Sequence, residues 1–440
     1  MSAELRAIAW DREPEELFAG LCERSGAFFL DSALSAGGLG RYSFIGFDPF
    51  LVLRGDVLAE LGVLLKKYRC DALSGAPFPC GAVGYFSYEF GAGLERVVSS
   101  RANDLGVPEM QWGFYDGVLG FDHEAKRAFM VANPVDRASA AEIFERLEDA
   151  MNSARVKSLA TGFGVKAGEP RSCVSKDAYL RALSRIKDYI AAGDVYQVNL
   201  TQRFETPLPC HPYALYQRLR RRSPAPFASY LNFGNWQVVS SSPERFLRIE
   251  NGRVETRPIK GTRPRGKTPA EDERLRAELV ASEKDRAELL MIVDLERNDL
   301  GRVCAPGSIR VDELFKVETH PTVHHLVANV SGVLRADCDV VDCLRATLPG
   351  GSITGAPKVR AMQIIDELET VQRGVYTGAV GYLGFDGNAD LNIAIRTILC
   401  AKGQAYYHVG GGIVWDSDPE SEYQETLDKG AAMRAALLGL

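Results

Sequence analysis

The chain has 440 residues, 46% hydrophobic and 25% charged, with 42 glycines and 21 prolines, fractions that exclude a disordered, collagen-like or coiled-coil protein. Fifty-two basic against fifty-eight acidic side chains leave a formal charge of −6, which carries no nucleic-acid footprint. An anionic substrate therefore has to be caught by local cations rather than by the overall field.

Nine scattered cysteines without a CxxC spacing predict reduced thiols. The first ten residues lack the apolar stretch of a signal peptide, and no run approaches the roughly 18 apolar residues of a membrane helix. A cytoplasmic protein with no membrane and no nucleic-acid partner is the expectation.

Between Phe29 and Phe121 short alternating runs, among them Tyr42–Gly46, predict strands and turns. Ile143, Leu147 and Met151 give residues 139–160 a helical period. The polar, glycine-bearing stretch 160–170 reads as a linker, separating a region 1–165 from a region 172–440. Ser175 can cap a helix that buries Tyr179, Leu183, Ile186 and Ile190 and stops at Gly193. Strands are expected at 231–241 and 245–249, and a helix over 270–297 that breaks near Ser282. Pro357 opens a helix to Leu368. Strands at 378–384, 391–400 and 405–414 precede a last helix, 419–437. Clustered strands with helices between them argue an α+β fold.

In the last helix Glu422, Glu425 and Lys429 project from one face, and Asp285 and Glu288 repeat the i, i+3 spacing. Two such acidic pairs brought face to face would suit Mg²⁺; by spacing alone the commoner reading is the solvated faces of surface helices. Gly410, Gly411 and Gly412 at a strand end allow close backbone approach to an anion, or a bulge. GGSITGAPK at 350–358 lacks the lysine and Ser/Thr placement of a P-loop and reads as a turn into a helix N-terminus. Arg396, in a mostly apolar strand, needs either a structural carboxylate partner or a substrate carboxylate. Lys260 lies among arginines in RPIKGTRPR, as an amine nucleophile of lowered pKa or as a surface lysine. His325, beside His324, is a pocket residue or a satisfied core histidine.

Six motifs stand in order: SPE at 242–244, PIKGTRPR at 258–265, AELLMIVDLERNDLG at 287–301, GGSITGAPK at 350–358, GGG at 410–412 and SEYQETLDK at 421–429. Together they resemble the chorismate-utilising enzymes over about residues 172–435. LDSA at 30–33, RYSFIG at 41–46 and GYFSY at 84–88 extend the likeness into the first half. The resemblance implies two β-sheets packed face to face as a sandwich with helices outside. It implies Mg²⁺ on Glu288 and Glu425, with Asp285 and Glu422 acting through water, and chorismate held by Gly261, Thr262, His325, Ser352, Tyr376, Arg396, Gly410, Gly411, Gly412 and Lys429. Lys260 would be the nucleophile and Glu244 the general acid.

Anthranilate-forming members of this family typically read PIAGT, and isochorismate- and salicylate-forming members place a lysine where this chain has Gln197. Lys260 with Gln197 resembles the branch whose component I aminates chorismate to 4-amino-4-deoxychorismate, towards p-aminobenzoate and folate. No GxCxG nucleophile motif is present, so a separate glutamine amidotransferase subunit is the implied ammonia source, and a later enzyme would supply the lyase step. Ser32, Tyr42, Ser43 and Phe227 fall near motifs that form a tryptophan pocket in relatives. The other readings are anthranilate synthase component I, for tryptophan biosynthesis, and a non-catalytic effector-binding subunit.

Overall fold

The computed structural model describes residues 2–35, 38–135, 138–154, 168–320 and 323–440; most of the expected linker lies outside them. Two antiparallel sheets organise the chain. The twelve-stranded sheet runs from Glu4–Ile8 through Arg127–Ala132, Gly117–Asp122, Tyr42–Gly46, Phe28–Asp31, Phe227–Asn232, Trp236–Ser242, Thr397–Ala401, Gln404–Ile413 and Gln197–Pro207 to Gly355–Ala356. Its twelfth strand, Arg171–Ser172, pairs with Gln197–Pro207. The ten-stranded sheet runs from Ile259–Pro264 through Val323–Val333, Arg253–Arg257, Arg245–Glu250, Ala389–Ile393, Ala379–Gly384, Gly81–Phe86 and Met110–Tyr115 to Leu51–Arg54, with Arg310–Thr319 also on Val323–Val333.

Both halves of the sequence build both sheets. Phe28–Asp31 pairs with Phe227–Asn232, and Gly81–Phe86 with Ala379–Gly384. The larger sheet is apolar on both faces because successive side chains point opposite ways. Phe28, Leu231, Val238 and Leu399 join the core between the sheets; their neighbours Phe29, Tyr230, Val239 and Ile398 join a second core. That second core lies under the helices Pro14–Ala19, Ala140–Ser153, Pro212–Arg222 and Pro419–Leu438.

Helix ends follow local chemistry. Ser175 accepts from Ala178 N at the start of Lys176–Ala191. Ser282 ends Pro269–Ala281 and caps Glu283–Gly301 through Asp285 N, the expected break. Pro357 is the residue before the helix Lys358–Leu368 rather than part of its first turn.

Two expected strands are each divided. The 231–241 run is a hairpin turning at 233–235, where Gly234 has φ +83°. The 391–400 run is two strands in different sheets, Ala389–Ile393 and Thr397–Ala401, parted at Arg396 with φ +52°. A second crossing from sheet to sheet, between Trp236–Ser242 and Arg245–Glu250, passes through Pro243 and Glu244. The crossings are tied together: Ser242 Oγ donates to the Ile393 carbonyl at 2.6 Å, and Ile393 N donates to the Glu244 carbonyl at 3.0 Å. Glu244 and Arg396 thus sit where the chain leaves one sheet for the other.

Candidate active site

Lys260 stands on the edge strand Ile259–Pro264, whose pairing with Val323–Val333 shifts register between Lys260 and Thr262. Gly261 at this bulge has φ +74°, and a Cβ there would meet the Asp285 side chain at 2.9 Å. A glycine bulge re-aims the adjacent side chain. Lys260 Nζ donates to the Ser352 carbonyl at 2.9 Å in the turn Gly351–Ile353. Burial pushes this amine below its ordinary pKa and Lys429 adds to the effect, against the pull of Glu244 and Glu288.

Glu244 is 5% exposed and accepts a hydrogen bond from Ile259 N at 3.4 Å. Burial raises its carboxyl pKa, with Lys260, Ser352 and Ile259 partly opposing. The lysine moves toward its neutral amine and the glutamate toward its protonated acid. Those are the forms a nucleophile and a general acid require.

Acidic side chains from two helices line the cleft over Gly411. A Cβ on Gly411 would lie 3.3 Å from Glu422 Oε2, 3.7 Å from Glu425 Oε1 and 3.7 Å from Lys429 Nζ. Lys429 Nζ reaches Glu425 Oε1 at 2.6 Å and donates to the Gly410 carbonyl at 3.1 Å. Across the cleft, Lys284 Nζ stands 3.6 Å from Glu422 Oε1 and 4.0 Å from Glu288 Oε1. Asp285 turns to Arg263, 3.1 Å away. Among the described residues no three acidic, histidine or cysteine side chains are closed up tightly enough to hold a metal as they stand. The donor set nevertheless suits a hard cation: Glu288, Glu422 and Glu425 offer carboxylate oxygens alone, and an ammonium already stands between two of them.

The glycines are a regular part of the strand Gln404–Ile413: Thr201, Leu200 and Asn199 oppose Gly410, Gly411 and Gly412, without a bulge. A Cβ on Gly412 would lie 2.4 Å from Gln197 Nε2, so this glycine makes room for that amide. Arg396 donates to the Lys429 carbonyl at 3.0 Å and has no carboxylate at ion-pair distance among the described residues, which removes the structural-pair reading. Tyr376 is buried and stacks on His408 with centroids 5.1 Å apart. His325 Nδ1 lies 2.9 Å from Thr262 Oγ1, and burial, with His320 and Arg396 nearby, lowers its pKa to about 4.

Three participants escape a reading of the sequence. Glu296, 8% exposed and bonded to Thr256 Oγ1 at 3.0 Å, has a carboxyl pKa raised by burial and by Glu244. Its signal is an acid in line with the apolar residues Leu289, Ile292, Val293 and Leu300 that the helix buries. Lys358 is buried against Asp299, and the lysine of GGSITGAPK was the clue. Arg373 donates to the Asn199 carbonyl at 2.7 Å and the Ile353 carbonyl at 3.0 Å, and pairs with Glu369. It pins the strand under the glycines to the turn carrying Ser352, and nothing local announces it.

A separate cavity of about 420 Å³ opens between the sheets. Ser32, Tyr42 and Phe227 line it with Arg245, Tyr382 and Asn392. Ser43 lies behind this wall, its Oγ accepting from Ser32 N at 3.0 Å.

Two facing sheets that deliver a half-buried lysine and a buried glutamate to a carboxylate-lined cleft define an enzyme of the chorismate-binding class. The chain belongs to the chorismate binding enzyme family, which it matches over residues 41–435. It is 39% identical to anthranilate synthase component 1 of Acetivibrio thermocellus, over 96% of this chain and 92% of that one. It is 38% identical to aminodeoxychorismate synthase component 1 of Bacillus subtilis, over 90% and 89%. The solved anthranilate synthase component I of Streptococcus pneumoniae superposes with a TM-score of 0.81 at 31% identity, over 90% and 92% of the two chains. With such even identities, overall similarity does not select the product. Among the described residues no helix is long and apolar enough to cross a membrane.

Proposed function

We propose that this chain is an aminodeoxychorismate synthase component I, converting chorismate and ammonia to 4-amino-4-deoxychorismate in the cytoplasm. The observation that carries the reading is half-buried Lys260, its pKa lowered, in the electrostatic reach of Glu244, whose carboxyl pKa burial raises. The neutral Lys260 amine attacks C2 of the ring, the double bonds shift, and Glu244 gives its proton to the C4 hydroxyl, which leaves as water. Ammonia then adds at C4, the double bonds return, and the Lys260 amine departs from C2. Glu244 takes back the proton that the new ammonium sheds, so the site is restored.

Mg²⁺ held by Glu288 and Glu425, with Glu422 and Asp285 behind them through water, would neutralise the ring carboxylate. Arg396, without a carboxylate partner among the described residues, and Tyr376 receive the enolpyruvyl carboxylate beside Gly410, Gly411 and Gly412. Gly261, Thr262, His325 and Ser352 line the pocket, and Lys429 adds positive charge. A glutamine amidotransferase subunit supplies ammonia, as the "component 1" in the relatives' names suggests. The inter-sheet cavity is proposed as a tryptophan pocket, with Ser32, Tyr42 and Phe227 in its wall and Ser43 behind. A rise in melting temperature with tryptophan, lost on Phe227→Ala, would support that assignment.

The alternative product is anthranilate, favoured by the relative at 39% identity. Purified protein is incubated with chorismate, MgCl₂ and ammonium, with and without aminodeoxychorismate lyase. p-Aminobenzoate that forms only with the lyase supports the proposal. Fluorescent anthranilate and pyruvate formed without it overturn the proposal.

A further inference from the structure

Lys284 takes no part in the chemistry above, yet its ammonium stands inside the carboxylate cleft. It bridges Glu422 Oε1 at 3.6 Å and Glu288 Oε1 at 4.0 Å. Among the described residues this is the ion-pair link between the helices Glu283–Gly301 and Pro419–Leu438. Lys284 lies in the first turn of its own helix, where the unpaired backbone N–H groups disfavour a cation. The opposing carboxylates therefore hold it. Glu422 is well anchored for this: it is 5% exposed and its Oε1 also accepts from Ser417 Oγ at 2.6 Å. Lys284, by contrast, keeps 51% of its side-chain exposure and needs rotation of its stem alone to reach solvent.

We propose that the Lys284 ammonium is an internal counter-ion that sits between Glu288 and Glu422 and swings out to solvent when a divalent cation binds Glu288 and Glu425 in the same cleft. The inference rests on the metal reading above. In the metal-free protein, carboxylates from two helices face one cleft, and without a cation their repulsion would push the helices apart. A half-exposed lysine relieves that repulsion and is cheap to displace, because exposed ion pairs are individually weak. Apparent metal affinity is then the intrinsic affinity reduced by the fraction of molecules with Lys284 in place.

The test is calorimetric titration of MgCl₂, without chorismate, into the wild type, Lys284→Met and Lys284→Arg. The Met variant is expected to bind Mg²⁺ about 3- to 10-fold more tightly, and the Arg variant close to the wild type. Metal-free Lys284→Met should melt below the metal-free wild type, and saturating Mg²⁺ should close the gap. Equal or weaker Mg²⁺ binding by the Met variant overturns the counter-ion role and leaves the metal reading standing. Failure of the wild type to bind Mg²⁺ overturns both, while the product assay still decides the reaction. If Lys284→Met is insoluble, Lys284→Gln gives the same readout.

Discussion

The cleft around Lys260 and the cavity around Ser32 are both lined with charge, but the charges are arranged in opposite ways. In the cleft, Lys260 and Arg396 have no carboxylate at ion-pair distance among the described residues, and their hydrogen bonds go to backbone carbonyls. In the cavity, Arg245 grips both oxygens of Asp390 at 3.0 Å and reaches Glu255 at 3.0 Å. Asp31 there takes the Tyr216 hydroxyl and the Arg220 guanidinium, each at 2.6 Å. Unpaired buried charge shifts its protonation state or waits for a ligand, which suits chemistry. Fully paired charge fixes side chains in place and shapes a rigid wall, which suits recognition.

The contrast is tested most severely in the cleft. Lys260→Ala should cut turnover of chorismate by about 10³-fold or more, the scale on which losing a nucleophile acts. Glu244→Gln should cost about 10²–10⁴-fold, since the hydroxyl then leaves unprotonated. Steady-state rates with the coupled lyase check both, and near wild-type turnover by either variant would end its assigned role.

A cavity charge should behave differently. Asp390→Ala leaves Arg245 one of its two carboxylates and should lower stability by about 1–3 kcal/mol, with turnover little changed. Urea unfolding and a rate assay on the same preparation measure the two effects. A large loss of rate at unchanged stability would erase the distinction between the regions.

The gentlest test lies at Glu89, whose carboxylate accepts from Arg373 N at 2.7 Å and Gly374 N at 2.9 Å. Burial raises its pKa from 4.5 to about 7. The folded protein therefore holds this proton more tightly than the unfolded chain. The associated stability is complete below about pH 4.5 and is lost as pH rises to about 7, by up to about 3 kcal/mol. Glu89→Gln carries no such titration, so its stability relative to the wild type should improve between pH 5 and pH 8. A pH-independent difference in urea midpoints would show that Glu89 is already ionised.

Much of this was legible locally. Ser175 and Ser282 announced helix starts through their side chains, and the i, i+3 acids of the last helix do share a face, over Gly411. The run 391–400 misled because its apolar residues are continuous across the point where the chain changes sheets. Periodicity reports burial, and both sheets bury this stretch equally. Lys284, Glu296 and Arg373 stayed hidden for a related reason: their meaning lies in partners 40 to 174 positions away.

The sequence by itself determined the family, the helix starts at Ser175 and Ser282 and the kinds of side chain available for chemistry, because motifs, caps and apolar spacing act over a few residues. The tertiary structure alone decided that two sheet crossings lie side by side, that half-buried Lys260 has no ion pair among the described residues, and that Lys284 reaches across to Glu422. Protonation and charge pairing depend on distance through space and on exclusion of water, and no local stretch of sequence encodes either.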